Sequence, residues 1–597
     1  MTIPAQHHRD LQMPWVRWIA LLVVLVVIIG YLSYLISFWG EGLAVGDEGF
    51  WLTSQRDAFN RLPRIPATLT PLTDILGSAW IAATAHLGLY GARLGWVAVN
   101  AFGATMVYLS LSRWFPVSRV VVALLAATPV ICHQQFTVLE YTNIPWFFLL
   151  SSGLLFQRCQ EDGTGERRAI AGSIVAGILL GMALLSRLIM VPAVAIPVAM
   201  WFVGNRSDRA TRGAIACSVA AGITTLAGLG GMWFDGTIDE LISSFQSTRA
   251  MNVTAGRAAL PSHSFFGLLL RYVVNLFIGV EQLSLVCMAY ALWIAARTWM
   301  SRVAGDRFLH LSWLPLAAAI PCAIAAAVAA DGMFNLRFQS GMPFMAATFC
   351  GVVCLRPPAL KSQARRDTVR QLCMLAFLEP IAVMLGSDLG FYRMISAAWL
   401  AFPLTIVLVP EVALAIAGFV QRLVPDAVRI PDATRGFLYS IVAVIVAFAA
   451  TITPISKADG RSGHPRLRGI RGEEVEMAAL DGVLNALEAE VNPHDRILAY
   501  PNAEMLYFIT DTRSPLGHMF THESENVLLD LLEKSPPRVI VYRNQATHSF
   551  WKYSESRREL MEKFLSTHDY ETIYSSDLYS IFRLPRAESK RSDSPSG

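Results

Sequence analysis

Two adjacent acids, Asp47 and Glu48, lie in the segment Gly46-Asp47-Glu48-Gly49-Phe50-Trp51, a few residues after a long apolar run, Trp18 to Trp39. An ionised Asp costs roughly 2.5 to 3.5 kcal/mol inside hydrocarbon, so acids at the end of a membrane span should face water or a cavity. A carboxylate in that position can accept a proton from a substrate hydroxyl. The same pattern is typical of an Asp that caps a helix over Glu48 to Asn60.

Arginines in the loops predicted to lie on the same side could hold a substrate phosphate, because a guanidinium fork matches phosphate oxygens. We select three for that role: Arg93, Arg187 and Arg393. Further candidates for the cavity are Arg56, Glu140 and Asp388, the last of which lies with Arg393 in the polar segment Gly386 to Arg393. For each arginine the alternative is a contact with lipid headgroups, and for Glu140 it is a helix cap.

The sequence predicts no cofactor with certainty. Asp47, Glu48 and Glu140 could share a divalent cation, since carboxylate oxygens suit such ions. Cys350 and Cys354 are four residues apart, but no His or further Cys lies near them, so packing is the better interpretation. We therefore leave metal dependence open.

The composition indicates whether the chain that carries these residues lies in water or in a membrane. The chain has 597 residues, of which 54% are apolar and only 16% charged, and its mean hydropathy is +0.45. These values exclude an ordinary soluble protein and predict an integral membrane protein. About thirteen candidate spans follow from the apolar runs: 18–39, 93–112, 118–137, 144–157, 169–185, 188–203, 213–233, 278–296, 309–330, 341–355, 371–386, 394–418 and 437–455.

Lys and Arg collect in alternate connections between these spans, which predicts the orientation of the chain. On this basis the N-terminus is cytoplasmic, while Asp47, Glu48 and the C-terminal region are extracytoplasmic. We expect a multi-pass protein of a bacterial cytoplasmic (inner) membrane, in contact with membrane lipids. Nothing in the sequence predicts a nucleic-acid partner.

The predicted fold is mainly α, with a membrane domain over residues 1–455 and a soluble extracytoplasmic α/β domain over 456–586. The first outer loop, 40–92, is long enough to build a site and includes an apolar stretch, Ile75 to Leu89, suited to an interfacial helix. In the soluble domain we expect helices near 473–491, 523–533 and 554–565, strands near 496–500 and 538–542, and a strand or hairpin over 572–584. Residues 587–597 are predicted to be a disordered tail.

The acid pair opens a long outer loop that continues with Pro71-Leu72-Thr73-Asp74-Ile75-Leu76 and leads to Arg93. This arrangement resembles the GT-C glycosyltransferases, and is closest to the bacterial branch related to protein O-mannosyltransferases and lipid A aminoarabinose transferases. The resemblance covers most of the chain in architecture, but only residues 46 to 93 in motif. One departure concerns phosphate binding: aminoarabinose transferases carry an Arg three residues after the Asp, where this chain has Phe50.

The resemblance implies an inverting transferase that uses a polyprenyl-phosphate sugar, with Asp47 as catalytic base and Glu48 as assisting acid. The acceptor would be an envelope component: lipid A or core sugar, a polysaccharide, another lipid-linked glycan, or a protein. The alternative is a polytopic transporter or flippase of an envelope precursor, which should carry charged residues within its spans. A membrane scaffold or sensor would not explain why the first outer loop is so long.

Overall fold

In the computed structural model, the described residues are 47–58, 70–132, 138–161, 165–204, 206–239, 241–242, 273, 277, 280, 333–357, 362–384, 396–409, 411–412, 460–501, 503–515, 525–544 and 555–585. The predicted spans 18–39, 309–330 and 437–455 lie outside these ranges, and 278–296 does so apart from residue 280. The tail 587–597 is also outside them.

Within the described ranges, ten helices with defined bounds precede the C-terminal α/β unit. They are α1 (Asp47–Ala58), α2 (Pro71–Thr84), α3 (Gly88–Leu111), α4 (Val117–Cys132), α5 (Asn143–Gln160), α6 (Glu166–Ser186), α7 (Ala195–Val203), α8 (Asp208–Phe234), α9 (Met333–Leu355) and α10 (Gln363–Met384). A further segment, 401–409, is helical. Helices α3 to α6 and α8 to α10 each overlap a predicted span, and α2 overlaps the predicted interfacial helix, so these helices are confirmed. The total of about thirteen spans stays a prediction.

One predicted span is not a continuous α-helix. Residues Leu188–Val194 form a 3₁₀ helix, and only Ala195–Val203 continues as α7. Pro192 lies inside the 3₁₀ segment and has no backbone N–H to donate, which explains why the α-helix begins after it.

Among the described residues, three helical segments are long and apolar enough to cross a membrane: Pro71–Leu111, Glu166–Ser186 and Asp208–Phe234. On α8, four large apolar side chains at helical spacing are exposed: Ile215, Val219, Ile223 and Leu226. An apolar helix face exposed in this way is expected where lipid is the solvent.

Helices α6 and α8 approach closely through small residues. A Cβ on Gly177 would lie 2.2 Å from the backbone oxygen of Cys217, and one on Gly181 would lie 2.5 Å from Cβ of Thr224. Glycines four apart on one face let two helix backbones touch, which is a common way to pack helices in a membrane.

Buried polar side chains add hydrogen bonds between the packed helices. Ser152 on α5 donates to the Ala176 carbonyl on α6 at 2.7 Å. The indole of Trp399 donates to Asn100 on α3 at 2.9 Å, and Asn100 donates in turn to the Trp96 carbonyl. Each polar group is thus paired in a region where water is scarce.

Hydrogen bonds join the described connections in two groups, one at each end of the helices. At one end, Arg209 donates to the Glu161 carbonyl at 3.0 Å and Arg365 to the Trp114 carbonyl at 2.7 Å. At the other end, Thr73 donates to the Ser186 carbonyl at 3.0 Å and Arg187 to the Val383 carbonyl at 2.6 Å. Connections predicted to be cytoplasmic therefore contact each other, and connections predicted to be extracytoplasmic contact each other. Which end of the helices faces the cytoplasm stays a prediction.

After residue 459 the chain forms an α/β unit with the elements β1 (Gly460–Arg461), β2 (Arg471–Gly472), α11 (Glu474–Glu490), β3 (Ile497–Tyr500), α12 (Met505–Thr510), α13 (Glu525–Lys534), β4 (Val539–Arg543), α14 (Glu555–Thr567), β5 (Glu571–Ser575) and β6 (Tyr579–Arg583). The main sheet has the order β3-β4-β6-β5, in which β3 and β4 are parallel and the other pairs antiparallel. The predicted helices and strands of this region are confirmed, whereas the short β1-β2 pair and α12 were not predicted.

This α/β unit shares a hydrophobic core with the end of the helical part at which α1 lies. Trp51, Leu52 and Leu89 belong to the same buried cluster as Leu480 and Leu506. Within the cluster, burial raises the pKa of the Tyr507 phenol well above its ordinary value, and the hydroxyl accepts a hydrogen bond from the Ala499 N–H at 2.9 Å. The two parts are therefore packed together by burial of apolar surface.

We expect Gly177→Ala to destabilise the folded protein by about 1 to 3 kcal/mol, because the added methyl meets the backbone of α8. Gly222→Ala is the matched control, since a Cβ at Gly222 meets nothing within 4 Å. Thermal unfolding of the purified protein in detergent, followed by tryptophan fluorescence, compares the two. Equal unfolding temperatures for both variants would contradict the close packing.

Candidate active site

The acid pair lies in the first turn of a helix. Helix α1 spans Asp47–Ala58 and confirms a helix over the described part of the predicted range Glu48 to Asn60, whose last two residues lie outside the described ones. The backbone of Asp47 is therefore fixed in the first turn of α1, and its side chain lies outside the described part of the structure. The position of Asp47 must be inferred from the neighbours that hold α1.

Glu48 and Arg93 form a buried ion pair between α1 and α3. Nε of Arg93 lies 2.8 Å from Oε1 of Glu48, and Nη2 lies 2.9 Å from Oε2. Each residue is only 1% exposed. Two parallel hydrogen bonds between a guanidinium and a carboxylate are a strong and directional arrangement. The pair therefore connects the first turn of α1 rigidly to α3.

A stack of three side chains connects α1 to the end of α6. The rings of Trp51 and Tyr141 have centroids 4.9 Å apart, and the guanidinium of Arg187 lies 4.8 Å from the centroid of Tyr141. Arg187 is buried and also donates to the Val383 carbonyl of α10 at 2.6 Å. A cation is thus held over an aromatic ring at the end of the helices where α1 lies.

Glu140 belongs to a short connection, 138–142, that is held by its own hydrogen bonds. Oε1 of Glu140 accepts a hydrogen bond from the Thr142 hydroxyl, and its backbone N–H donates to Asn143 at 2.8 Å. Gln55 of α1 donates to the carbonyl of Leu139 in the same connection at 2.6 Å. The connection therefore supports α1 from a second side and places a buried acid close to it.

Arg56 lies at the opposite end of α1 from the acid pair. It donates to the carbonyls of Tyr507 and Thr512 in the α/β unit, at 2.6 and 2.9 Å, and forms ion pairs with Asp57 and Asp511. These contacts join the end of α1 to the α/β unit.

Two predicted site residues, Arg393 and Asp388, lie outside the described residues. Over the described ranges, no group of three or more His, Cys, Asp or Glu side chains has an arrangement that could hold a metal ion. The Glu48 carboxylate binds Arg93 there, and the Glu140 carboxylate binds Thr142. A divalent cation shared by Asp47, Glu48 and Glu140 stays a prediction.

Several contacts around α1 were not predicted. Trp51, Tyr141 and Gln55 hold the helix, and the only signal in the sequence is that they lie close to the two acidic motifs. Thr53 donates to the Glu504 carbonyl at 3.3 Å, a contact between residues 451 positions apart that no local pattern indicates.

Glu379 is a buried acid within α10. It is 0% exposed, and neither carboxylate oxygen has a hydrogen-bond partner in the described part of the chain. It precedes Pro380 inside the helix. Acids in this situation are rare in membrane spans and are usually functional.

No family model matches the chain, and no curated protein matches it. Among solved structures, the chain is similar to ArnT from Cupriavidus metallidurans bound to undecaprenyl phosphate, with a TM-score of 0.44 and 12% identity over 95% of this chain and 98% of that one. It is also similar to the Archaeoglobus fulgidus oligosaccharyltransferase in complex with Zn and sulfate, with a TM-score of 0.42 and 13% identity over 90% and 69% of the two chains. Both are members of the GT-C superfamily. At these identities and TM-scores, the function of this chain has to be inferred from its own residues.

We expect Glu48→Gln and Arg93→Met each to destabilise the folded protein by about 3 to 5 kcal/mol, because each substitution leaves the charge of its buried partner without the opposite charge of the pair. The double variant Glu48→Leu with Arg93→Met should recover much of that loss, since neither charge of the pair then remains. Thermal unfolding in detergent measures all three without requiring activity. Single variants as stable as the wild type would show that the pair contributes nothing.

Proposed function

We propose that this chain is an integral membrane glycosyltransferase that transfers a sugar, hexosyl or pentosyl, from a polyprenyl-phosphate donor to an envelope acceptor. The reaction would take place at the outer face of a bacterial cytoplasmic membrane and invert the anomeric centre. The acceptor classes are lipid A or core sugar, a polysaccharide, a lipid-linked glycan, or a protein.

One observation carries this proposal: the helix that begins with Asp47 is buried at the same end of the bundle as Arg187. The ion pair between Glu48 and Arg93 holds its first turn, and the stack of Trp51, Tyr141 and Arg187 connects it to a buried cation. A base and a phosphate ligand must lie together for sugar transfer, and this end of the structure supplies both residue types.

In the proposed reaction the Asp47 carboxylate takes the proton of the acceptor hydroxyl. The acceptor oxygen attacks the anomeric carbon from the face opposite the phosphate, so the new C–O bond forms as the bond to phosphate breaks. The departing phosphate keeps the electron pair of that bond. Nearby guanidinium groups offset the negative charge that grows on it.

The structure favours two different roles among the predicted residues, phosphate binding and positioning of Asp47. Arg187 and Arg393 are proposed as ligands of the donor phosphate. Arg93 could bind phosphate only by giving up its bidentate pair with Glu48, and breaking a buried ion pair is costly. We therefore propose Glu48 and Arg93 as the pair that positions Asp47, in place of an assisting acid and a direct phosphate ligand.

A transporter or flippase is the second candidate, and Glu379 is the observation that favours it. A buried acid within a helix, without a hydrogen-bond partner among the described residues, is typical of proton or substrate routes through a membrane. A catalytic site on one face of the membrane would not need such a residue.

We expect Asp47→Asn to lower sugar transfer about 10²- to 10⁴-fold, because the amide cannot accept the acceptor proton. Membranes with matched amounts of wild-type or variant protein are supplied with labelled polyprenyl-phosphate sugar and envelope acceptors. Asp235→Asn is the control, since it removes an exposed acid at the end of α8.

Two outcomes of this assay would reject the proposal. Transfer retained by Asp47→Asn would remove Asp47 as the base. If the wild type transfers no sugar, but vesicles containing it move the lipid-linked sugar across the bilayer, the transporter is the correct function. Glu379→Gln should then abolish that movement.

We expect Arg187→Met to raise KM for the donor about 10- to 100-fold, as loss of a hydrogen bond to a charged group predicts. Arg187→Lys should recover part of the affinity because it keeps the charge but not the fork. Steady-state kinetics with varied donor concentration provide the measurement, and Arg167→Met, an exposed residue of α6, is the control. An unchanged KM in a folded Arg187→Met variant would exclude this residue as a phosphate ligand.

A further inference from the structure

The soluble domain contacts the helix that carries Asp47 along most of its length. Helix α12 lies beside α1: Glu504 and Met505 lie against Gly49 and Thr53, while Tyr507 and Thr512 lie against Arg56. Two helices with such matched contacts behave as one unit, because a shift of either one breaks contacts at both ends.

The contact is closest at Gly49, two residues after Asp47. A Cβ at this position would lie 2.0 Å from the backbone nitrogen of Met505 and 2.3 Å from its Cα. No side chain fits between the two backbones, and neither backbone can give way without moving its helix. The first turn of α1 is therefore in direct contact with the main chain of the soluble domain.

Arg56 holds the other end of the contact. Its guanidinium donates to the carbonyls of Tyr507 and Thr512, at 2.6 and 2.9 Å, and lies 3.2 Å from Asp511. The Tyr507 carbonyl also accepts backbone N–H bonds from Asp511 and Thr512, so Arg56 binds the capped C-terminal end of α12 and the residue Thr512 that follows it. Asp57 binds the remaining edge of the guanidinium, through contacts of 2.7 and 2.9 Å, and so fixes its orientation.

Helix α1 needs such a partner. It has 12 residues, and isolated helices shorter than about 12 to 15 residues are marginal in water. The ion pair of Glu48 and the stack of Trp51 hold two of its sides, and α12 covers a third.

We propose that the soluble domain contributes to the catalytic centre. Its helix α12 sets the position of Asp47 through the positioning residues Gly49 and Arg56. This inference rests on the proposed function, because the quantity that α12 controls is the alignment of the base with the acceptor hydroxyl. A misalignment of about 1 Å can lower a rate on the order of 10²-fold without loss of substrate binding.

The test compares two kinds of contact between the soluble domain and the membrane part. Arg56→Ala and Gly49→Ala disturb contacts of α1. Tyr90→Phe is the matched control, because it removes the hydrogen bond from Tyr90 to the Gly469 carbonyl, 2.6 Å long, that joins the same two parts through α3. Transfer is measured per folded molecule, with both kcat and donor KM determined.

We expect Arg56→Ala and Gly49→Ala to lower kcat about 10- to 100-fold, with donor KM changed by less than about twofold. Arg56→Lys should regain part of kcat, since the ammonium can still reach a carbonyl of α12. Tyr90→Phe should keep the wild-type kcat. A general loss of stability would not lower kcat while donor KM stays the same, and Arg56→Lys would not restore kcat in that case.

Three outcomes would overturn the inference. The first is that folded Arg56→Ala and Gly49→Ala keep the kcat of the wild type. If the wild type also transfers sugar and Asp47→Asn does not, this result leaves the proposed function intact. The second is an equal loss of kcat in Tyr90→Phe, since any contact of the soluble domain would then suffice. The third is absence of transfer by the wild type, which removes the proposed function together with this inference.

Discussion

The buried ion pair between Glu48 and Arg93 is the interaction on which the arrangement of this site depends. Removing two charges from water is costly, and the cost is recovered only in the bidentate geometry seen here. Helix α1 can consequently take few positions relative to α3. The aromatic stack and the hydrogen bond of Gln55 then add a second support on the side of residues 138–142.

The same helix joins the apolar helices to the C-terminal α/β unit. Glu48 and Gln55 make its polar contacts with the helical part, while Trp51 and Leu52 belong to the hydrophobic core that continues into the α/β unit. Burial of apolar surface brings the two parts together, and directional hydrogen bonds from Thr53 and Arg56 determine their register. The acid pair is therefore placed by both kinds of force.

The sequence predicted the helices well where composition determines them. The apolar runs of α3, α5, α6 and α8 exceed what a soluble chain tolerates, and the period of α11 and the short apolar strands β3 and β4 follow from simple patterns. The site was predicted only as a set of residue types. That Glu48 binds Arg93 depends on how two helices 45 residues apart approach each other, and α12 is too short, at six residues, to leave a periodic signal.

The contact between α1 and α12 joins residues that are about 450 positions apart in the chain. At about 5 to 20 residues per second, a ribosome needs roughly 20 to 90 s to make the residues between Arg56 and Tyr507. During that interval the helix with the acid pair is already made, but its partner is not. Under the proposed function, the nascent protein thus lacks the contact that positions Asp47 until the late part of the chain has been made, folded and docked.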